Sequence, residues 1–298
     1  MAGTVAAQGA AGAGALAASG GIVVVDYHKG NLSSVARGLV RAGAGADGVS
    51  ITDEPERIRA AAGIVLPGVG SFYDAVTYMA QSGQARAVRE AVGRGVPFLG
   101  ICLGLQLLYD RGDEDVPLDV AAQGGDDASG AGLEPGTVFE AEGRRWVRGL
   151  GVLRGSCTKL ESSRLKVPHV GWDQVHLTAP GRSCPLLEGF PVGANMYFTH
   201  SYAVAGDAED ACVAARTFYA RSFPCVAWSG NVYGCQFHPE KSSGRGLDIL
   251  RNFVRVVGAA GSGAATAGAA AADGAGTTVA GAAAGTSRPD ETEPEVIA

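Results

Sequence analysis

Several features that would indicate a function are missing from the sequence. Positive charge is not in excess: 24 Lys and Arg residues stand against 30 Asp and Glu residues, which gives the 298 residues a net charge of −6. No run approaches the roughly 20 consecutive apolar residues that a membrane-spanning helix requires. Nucleic acid and membranes are therefore excluded as expected partners, and we predict a soluble protein.

Patterns typical of metal sites and disulfide frameworks are missing as well. No pair among the six cysteines has metal-ligand spacing, and the acidic residues within 113–127 lack the spacing of a calcium loop. We predict no metal and no cofactor. A chain of this length has enough core to fold without disulfides, so the cysteines indicate a reducing compartment. The cytoplasm is the default, and a plastid stays an alternative if residues 1–21 are the remnant of a targeting segment.

Small residues dominate both ends of the chain. Residues 1–21 contain no charged side chain, and residues 258–298 contain no aromatic side chain. Such segments cannot bury enough apolar surface to offset the entropy cost of ordering them. We predict that both are disordered, the second as a flexible tail or a linker, and that residues 22–257 form one domain.

The first half of that domain alternates strand and helix patterns. Short apolar runs at 22–26, 63–66 and 96–101 are typical of buried strands, and helical patterns lie between them. This order predicts an α/β fold with a doubly wound, mostly parallel sheet.

The second half changes character. Short alternating segments predict added antiparallel strands, and residues 243–257 predict a closing helix. Residues 112–142 are rich in Asp and Gly and are predicted to be an insertion loop. The strand segments are 145–152, 166–176, 195–204, 212–216, 226–229 and 232–237.

One cysteine stands in a distinctive context. An apolar strand pattern runs directly into residues 100–104, a Gly-x-Cys-x-Gly motif centred on Cys102, and a helical pattern follows. This is the nucleophile-elbow arrangement with Cys in the place of Ser, in which glycines allow a sharp turn and a helix N-terminus favours the thiolate. The alternative interpretation is a buried cysteine whose neighbouring glycines serve only tight strand–helix packing.

A thiolate nucleophile needs a partner that handles protons. His238 ends an apolar strand pattern, and Glu240 follows at a spacing of two. In an extended chain both side chains project to one side, so Glu240 can orient the imidazole while the second ring nitrogen faces a thiol. Alone, the pattern also fits a surface turn, but together with the elbow it favours a Cys–His–Glu triad. The other histidines are predicted to be packed or surface residues: His28, His169, His176 and His200.

A glycine-containing segment follows the second buried strand pattern. Gly68 and Gly70 flank Val69, and their lack of side chains lets backbone N–H groups approach and reorient toward a developing oxyanion. A phosphate-binding loop is the rival interpretation. However, Tyr73 stands where a dinucleotide fingerprint needs Gly, and no Gly-Lys-Ser/Thr follows. We therefore reject a nucleotide cofactor.

Together these motifs resemble the class I glutamine amidotransferases, and among them most closely the glutaminase subunits of imidazole glycerol phosphate synthase, an enzyme of histidine biosynthesis. Residues 100–104 and 238–240 match the triad signatures. The resemblance covers residues 22–257, with a break at the insertion, and implies a flavodoxin-like sheet. The other motifs that carry it are residues 26–35, 66–70, 167–172, 197–202 and 236–242.

The resemblance implies hydrolysis of glutamine through a thioester. Cys102 would attack the side-chain amide, His238 would pass a proton to the departing ammonia, and Glu240 would orient His238. Further site residues follow from the same resemblance. The oxyanion would meet the N–H of Leu103 and an N–H of Val69 or Gly70 after a rearrangement, and the amino-acid end of glutamine would meet Gly70, Gln106, His200, Ser201 and Tyr202.

The resemblance also implies a partner. Ammonia would pass to a cyclase with a (β/α)8 barrel, either a separate subunit or a domain fused in a longer chain, and Trp172, Tyr197 and Lys241 match positions near it. His28 stands where the family commonly has Gly, and Asp173 where it commonly has Asn, which affects the expected interface. Two other functions stay open: a catalytically silent glutaminase-like module that binds and regulates a partner, and a stand-alone γ-glutamyl thiol hydrolase.

Overall fold

The computed structural model describes residues 20–124 and 127–273. Its contacts divide the chain after Gly263, and all the described strands lie in the first unit. Of the second unit, residues 264–273 are described, and they are helical. Most of the two predicted disordered ends, residues 1–19 and 274–298, lies outside the described residues. Within the described ranges, no helix combines the length and the apolar character needed to cross a membrane.

The described chain alternates strands and helices in its first half and is rich in strands in its second. The strands are β1 (Ile22–Val25), β2 (Val49–Thr52), β3 (Gly63–Gly68), β4 (Phe98–Cys102), β5 (Tyr109–Gly112), β6 (Val138–Ala141), β7 (Arg144–Arg148), β8 (Leu153–Lys159), β9 (His169–Leu177), β10 (Ala194–His200), β11 (Tyr202–Val204), β12 (Val213–Tyr219), β13 (Arg221–Ser229) and β14 (Val232–Cys235). The α-helices are α1 (Leu32–Leu39), α2 (Pro55–Arg59), α3 (Phe72–Gln81), α4 (Gln84–Gly93), α5 (Leu103–Gln106) and α6 (Ser243–Asp273).

The larger sheet has a parallel part and an antiparallel part. Five strands pair in parallel in the order β14-β4-β3-β1-β2, and β13, β12, β9 and β10 extend the sheet beyond β14 in antiparallel pairing. β1, β3 and β4 are buried at every position, as expected for strands covered on both faces. The structure therefore confirms the predicted doubly wound α/β sheet with added antiparallel strands.

A second sheet of five strands was not predicted as a separate unit. Its order is β11-β8-β5-β7-β6, with mostly antiparallel pairing. β6 lies inside residues 112–142, so the end of the predicted insertion is a strand rather than a loop. The guanidinium of Arg148 attaches the insertion by donating to Ser129 O and to the buried carboxylate of Asp110, both at 2.8 Å. Residues 125 and 126 of the insertion lie outside the described residues.

The boundaries of the predicted ends differ from the structure at two places. Gly21 is buried, and its carbonyl accepts the N–H of Ala62, so the ordered domain begins slightly before residue 22. The closing helix α6 begins at Ser243 as predicted but continues to Asp273, beyond residue 257. The extension is rich in Ala, the residue with the highest intrinsic helix propensity.

The carboxyl ends of the parallel strands meet at one edge of the larger sheet. The strand order reverses between β1 and β3, and in open α/β sheets ligands bind at this edge, next to such a reversal. β3 and β4 end there with Gly68 paired to Cys102, and β14 ends beside β4 with Cys235 paired to Ile101. The predicted cysteine, glycine and histidine motifs therefore converge on this edge.

Candidate active site

Cys102 lies at a strained turn between a strand and a helix. It is the last residue of β4, α5 begins at the next residue, and its φ is +55°, a conformation that residues with side chains rarely adopt. A Cβ atom at Gly104 would lie 1.7 Å from the carbonyl oxygen of Leu66, and one at Gly100 would lie 2.4 Å from the carbonyl oxygen of Gly104. The turn therefore requires both glycines of the motif.

His238 and Glu240 form a buried pair beside this turn. His238 Nδ1 lies 2.9 Å from Glu240 Oε1, and the two side chains are 3% and 1% exposed. Burial disfavours the charged imidazolium, but the hydrogen bonds and charges of Cys102 and Glu240 outweigh it and raise the pKa of His238 to about 10. The structure thus brings together the three predicted catalytic residues: Glu240 Oε1 contacts Nδ1 of His238, and Cys102 lies close enough to help raise the pKa of the imidazole.

The thiol of Cys102 has two further polar neighbours. Gln236 Nε2 donates to Cys102 Sγ at 3.6 Å, and Sγ lies 3.9 Å from the carbonyl oxygen of Thr199. Gln236 precedes His238 in the segment after β14, and Thr199 lies near the end of β10. The Cys102 thiol is therefore surrounded by the ends of the parallel strands on one side and by β10 on the other.

The predicted oxyanion segment lies directly beside Cys102. Val69 and Gly70 follow β3, and Gly70 has a φ of +95°. The hydroxyl of Tyr27 donates to the carbonyl oxygen of Val69 at 3.3 Å. A Cβ atom at Gly70 would lie 3.1 Å from Cδ of Lys29, whose ammonium pairs with Asp74 on α3 at 2.8 Å. The segment is therefore held in one orientation from both sides, while Leu103 lies next to Cys102 on α5.

Three of the predicted substrate residues meet at one carbonyl group. The carbonyl oxygen of Tyr202 accepts Gln106 Nε2 at 2.8 Å and lies 2.8 Å from His200 Nδ1. Ser201 stands between them, between β10 and β11, and its carbonyl accepts the N–H of Leu160. The side chains of Gln106 and His200 are thus used inside the protein, where they fix the backbone at the start of β11.

The structure adds one candidate that the sequence analysis missed. Glu114, in the predicted insertion, accepts the N–H of Phe72 at 2.9 Å, two residues after Gly70. Burial raises the pKa of this carboxyl group to about 7, and the charges of neighbouring aspartates act in the same direction. No local pattern marks Glu114, because its burial depends on residues 42 positions earlier in the chain.

The predicted partner-facing residues form one surface cluster. The rings of Trp172 and Tyr197 are 5.9 Å apart in an edge-on contact, and Lys241 Nζ lies 5.9 Å from the centre of the Tyr197 ring. Trp172 is 50% exposed, and Val170 on the same strand is 56% exposed. Such large apolar side chains on a surface are typical of an interaction site.

The two departures from the family pattern have clear local geometry. His28 has a φ of +65°, the region that a glycine adopts at no cost, and its ring packs edge-on against Tyr78 at 5.1 Å. Asp173 Oδ2 lies 2.5 Å from Nε2 of His169, a buried residue of the same strand.

Among the residues that the structure describes, no group of three or more His, Cys, Asp and Glu side chains is arranged to hold a metal ion.

Cys102, His238 and Glu240 lie buried at the carboxyl edge of a doubly wound sheet, an arrangement typical of α/β enzymes with a thiol nucleophile. Residues 23–257 match the family model of the class-I glutamine amidotransferases, and the chain belongs to that family. Two solved structures share the fold: one is described as a glutamine amidotransferase (TM-score 0.52, 18% identity, 80% of this chain and 100% of that chain) and one as PurLQS of Thermotoga maritima (0.52, 16%, 79% and 96%).

Curated relatives share much more of the sequence. The imidazole glycerol phosphate synthase subunit HisH of Moorella thermoacetica is 41% identical over 241 residues, which cover 81% of this chain and 97% of the relative. The protein of the same name from Geobacillus sp. (strain WCH70) is 38% identical over 246 residues, with coverages of 81% and 99%. That of Natronomonas pharaonis is 40% identical over 236 residues, with coverages of 78% and 93%.

Proposed function

We propose that this chain is the glutaminase subunit of an imidazole glycerol phosphate synthase. It hydrolyses glutamine to glutamate and ammonia and supplies the ammonia to a cyclase partner. The observation that carries the proposal is the buried Cys102–His238–Glu240 arrangement, with Glu240 Oε1 2.9 Å from His238 Nδ1. The similarity to HisH proteins over about four-fifths of the chain supports the assignment to imidazole glycerol phosphate synthase rather than to another glutamine amidotransferase.

The reaction begins when Cys102 Sγ attacks the side-chain carbonyl carbon of glutamine. The proton that Cys102 gives up is held on His238 Nε2 and passes from there to the amide nitrogen, so the C–N bond breaks with loss of NH3 and a glutamyl thioester remains. Water then attacks the thioester carbon, His238 takes a proton from it, and Cys102 leaves as the thiol on receiving that proton. Glu240 holds the imidazole in the required orientation throughout.

The negative charge that develops on the carbonyl oxygen needs hydrogen-bond donors. We assign this role to the N–H of Leu103 and to an N–H of Val69 or Gly70, after the segment rearranges. The Tyr27 hydroxyl, which donates to the Val69 carbonyl, opposes that rearrangement in the resting chain. Loss of one such donor costs about 2.7–4 kcal/mol of barrier, which is enough to switch turnover on and off through the position of the segment.

The amino-acid end of glutamine lies between Gly70 and the end of β10. Gly70, Gln106, His200, Ser201 and Tyr202 form this part of the site, mainly through backbone groups. Glu114 complements it, because an unpaired, mostly buried carboxylate near Gly70 and Tyr202 matches the ammonium group of a free amino acid. This pairing favours glutamine itself over a glutamine residue within a peptide, whose nitrogen carries no charge.

The partner is proposed to be a (β/α)8 cyclase, separate or fused in a longer chain, that docks on the cluster of Trp172, Tyr197 and Lys241. It combines ammonia with the phosphoribulosyl formimino carboxamide ribotide to give imidazole glycerol phosphate and an aminoimidazole carboxamide ribotide. The setting is the cytoplasm, which agrees with six cysteines that are all free.

Glutamate release by the purified chain tests the proposal. We expect low turnover from the chain alone and a large stimulation by the cyclase with its nucleotide ligand. Cys102→Ala should abolish the stimulated turnover, and retention of wild-type turnover would show that Cys102 is not the nucleophile. Strong glutaminase activity without any partner would favour a stand-alone thiol hydrolase, and no turnover under any condition would favour a silent binding module.

A further inference from the structure

Three contacts connect Asp173 to the backbone of Tyr202. Asp173 Oδ2 lies 2.5 Å from His169 Nε2, His169 Nδ1 lies 3.2 Å from His200 Nε2, and His200 Nδ1 lies 2.8 Å from the carbonyl oxygen of Tyr202. His169 and His200 are buried, while the side chain of Asp173 is 36% exposed. All four ring nitrogens are therefore in hydrogen-bond contact, and the chemistry of each contact determines where protons must lie.

The protons can be counted from the carbonyl oxygen of Tyr202. This oxygen can only accept a hydrogen bond, so His200 Nδ1 must carry a proton. A neutral His200 then has a bare Nε2, and the contact to His169 requires a proton on His169 Nδ1. A neutral His169 in turn has a bare Nε2, which faces a carboxylate oxygen of Asp173. Two bare acceptors would meet there unless a third proton is bound between Asp173 and His169.

The third proton also removes a charge that is only partly exposed to solvent. With it, the Asp173 carboxylate and the protonated histidine pair are together neutral, whereas without it the unit has a charge of −1 and an unsatisfied contact. Burial lowers the pKa of His200 to about 3, so the third proton lies on the His169 side. Burial also lowers the pKa of His169, although the hydrogen bond and the charge of Asp173 favour its imidazolium. The proton is therefore bound at low pH and released as the pH rises.

The other charged and titratable groups around the pair do not supply this proton. On β12, the ring of Tyr219 stacks on His169 at 4.0 Å, but its hydroxyl donates to the carbonyl of Lys166. On β13, Arg221 donates to backbone carbonyls, and its charge disfavours a charged His200, as does that of His238 after β14. Asp173 is the one acidic group that faces the pair among these contacts.

We propose that Asp173, His169 and His200 form a proton-dependent positioning chain. With three protons the chain is closed and holds the Tyr202 carbonyl, which Gln106 also contacts, at the amino-acid end of the glutamine site. Loss of the third proton breaks the hydrogen bond between Asp173 and His169. The link to glutamine rests on the function proposed above, whereas the proton count does not.

Asp173→Asn tests whether the three contacts can form without the third proton. The amide group of Asn can donate to His169 Nε2, so the chain closes with two ring protons at every pH. We expect D173N to melt roughly 2–4 °C above the wild type at pH 8, with no difference at pH 5. The matched control is Asp210→Asn, which removes the charge of a 92% exposed residue paired with Arg216 and should show no such dependence on pH.

Imidazole ¹⁵N NMR counts the ring protons directly in the purified chain. We expect the wild-type signal of His169 to report proton uptake between pH 8 and pH 5, and that of D173N to stay neutral over this range. Identical histidine titrations in the two proteins would overturn the proposal, whatever their melting temperatures.

The glutamine link is tested in the complex with the cyclase and its nucleotide ligand. At pH 8 we expect D173N to lower the KM for glutamine about two- to fivefold with little change in kcat. Equal KM values, with the NMR difference present, would refute the positioning role. A wild-type complex that releases no glutamate would refute the proposed function instead, and the NMR count would still decide whether the proton chain exists.

Discussion

Glu114 accepts the backbone N–H of Phe72 at 2.9 Å and thereby places its carboxyl group at the start of α3, two residues beyond Gly70. The contact joins a segment predicted as a solvated insertion to the segment predicted to form the oxyanion hole. It places a carboxylate without a cationic partner beside the proposed position of the glutamine ammonium group.

Glu114→Gln keeps the shape of this side chain and its acceptor for the Phe72 N–H but removes the charge. We expect the KM for glutamine to rise about 10- to 100-fold, because a hydrogen bond between two charged groups is lost, and we expect a smaller change in kcat. Steady-state glutamate release in the cyclase complex measures both. Glu134→Gln, an 87% exposed side chain of the same insertion, should leave the KM unchanged.

The pH dependence of the same carboxyl group follows from its raised pKa. In the folded chain it titrates at about 7, against 4.5 for an ordinary Glu. Between these values the folded state holds a proton that the unfolded state has lost, so stability should fall as the pH rises through this window. Urea unfolding of wild type and Glu114→Gln at pH 4.5 and pH 7.5 checks this. A difference between the two proteins that does not change with pH would contradict the assignment.

The His238–Glu240 pair predicts a loss of stability in the same direction, but over a higher pH range. The pKa of His238 is raised from 6.5 to about 10, so its stabilisation is fully present below 6.5 and is lost as the pH rises through 10. Glu240→Gln removes one of the two groups that favour the imidazolium. We expect it to lower glutaminase turnover by about 10²- to 10⁴-fold and to destabilise the chain more at pH 6.5 than at pH 10. Glu209→Gln, on an exposed loop, serves as the control.

The surface cluster of Trp172, Tyr197 and Lys241 predicts the effect of mutations on partner binding. Trp172→Ala should weaken binding of the cyclase by about 30-fold or more, the loss typical of a central aromatic anchor, and should leave the melting temperature of the isolated chain nearly unchanged. Titration calorimetry measures the affinity. Leu118→Ala, which truncates an 86% exposed side chain in the insertion, is the matched control. Equal affinities for both variants would place the cyclase on another surface.

Local patterns were enough to predict the parallel sheet and to draw attention to Cys102 and His238. β1, β3 and β4 are short β-branched or apolar runs, and Cys102 and His238 each stand in a motif of a few residues whose geometry is local. Strands next to each other in the parallel sheet then bring the two motifs together. Nothing in that argument requires knowledge of distant contacts.

The second sheet and Glu114 could not be predicted in this way. β5 has the sequence Tyr-Asp-Arg-Gly, which resembles a polar turn, yet all four residues are buried. Its charges are satisfied by distant partners: Asp110 pairs with Arg148, 38 positions later. Similarly, the acidic run around Glu114 resembles a solvated loop until α3 packs against it. The pairing of His169 with His200 depends on the register of β9 against β10, which periodicity alone does not determine.

The glycines of the nucleophile turn give the sharpest test of the fold at the site. Gly104→Ala would place a Cβ atom 1.7 Å from the Leu66 carbonyl oxygen, so β3 and α5 must separate. We expect a loss of about 3–5 kcal/mol in the free energy of unfolding, together with loss of glutaminase activity, because Cys102 and Val69 move apart. Gly93→Ala, at the end of α4 with no atom within 4 Å of the new Cβ, should be neutral or stabilising by up to about 1 kcal/mol. Urea unfolding of the two variants measures this contrast, and equal stabilities would show that the close approach of α5 to β3 is not required.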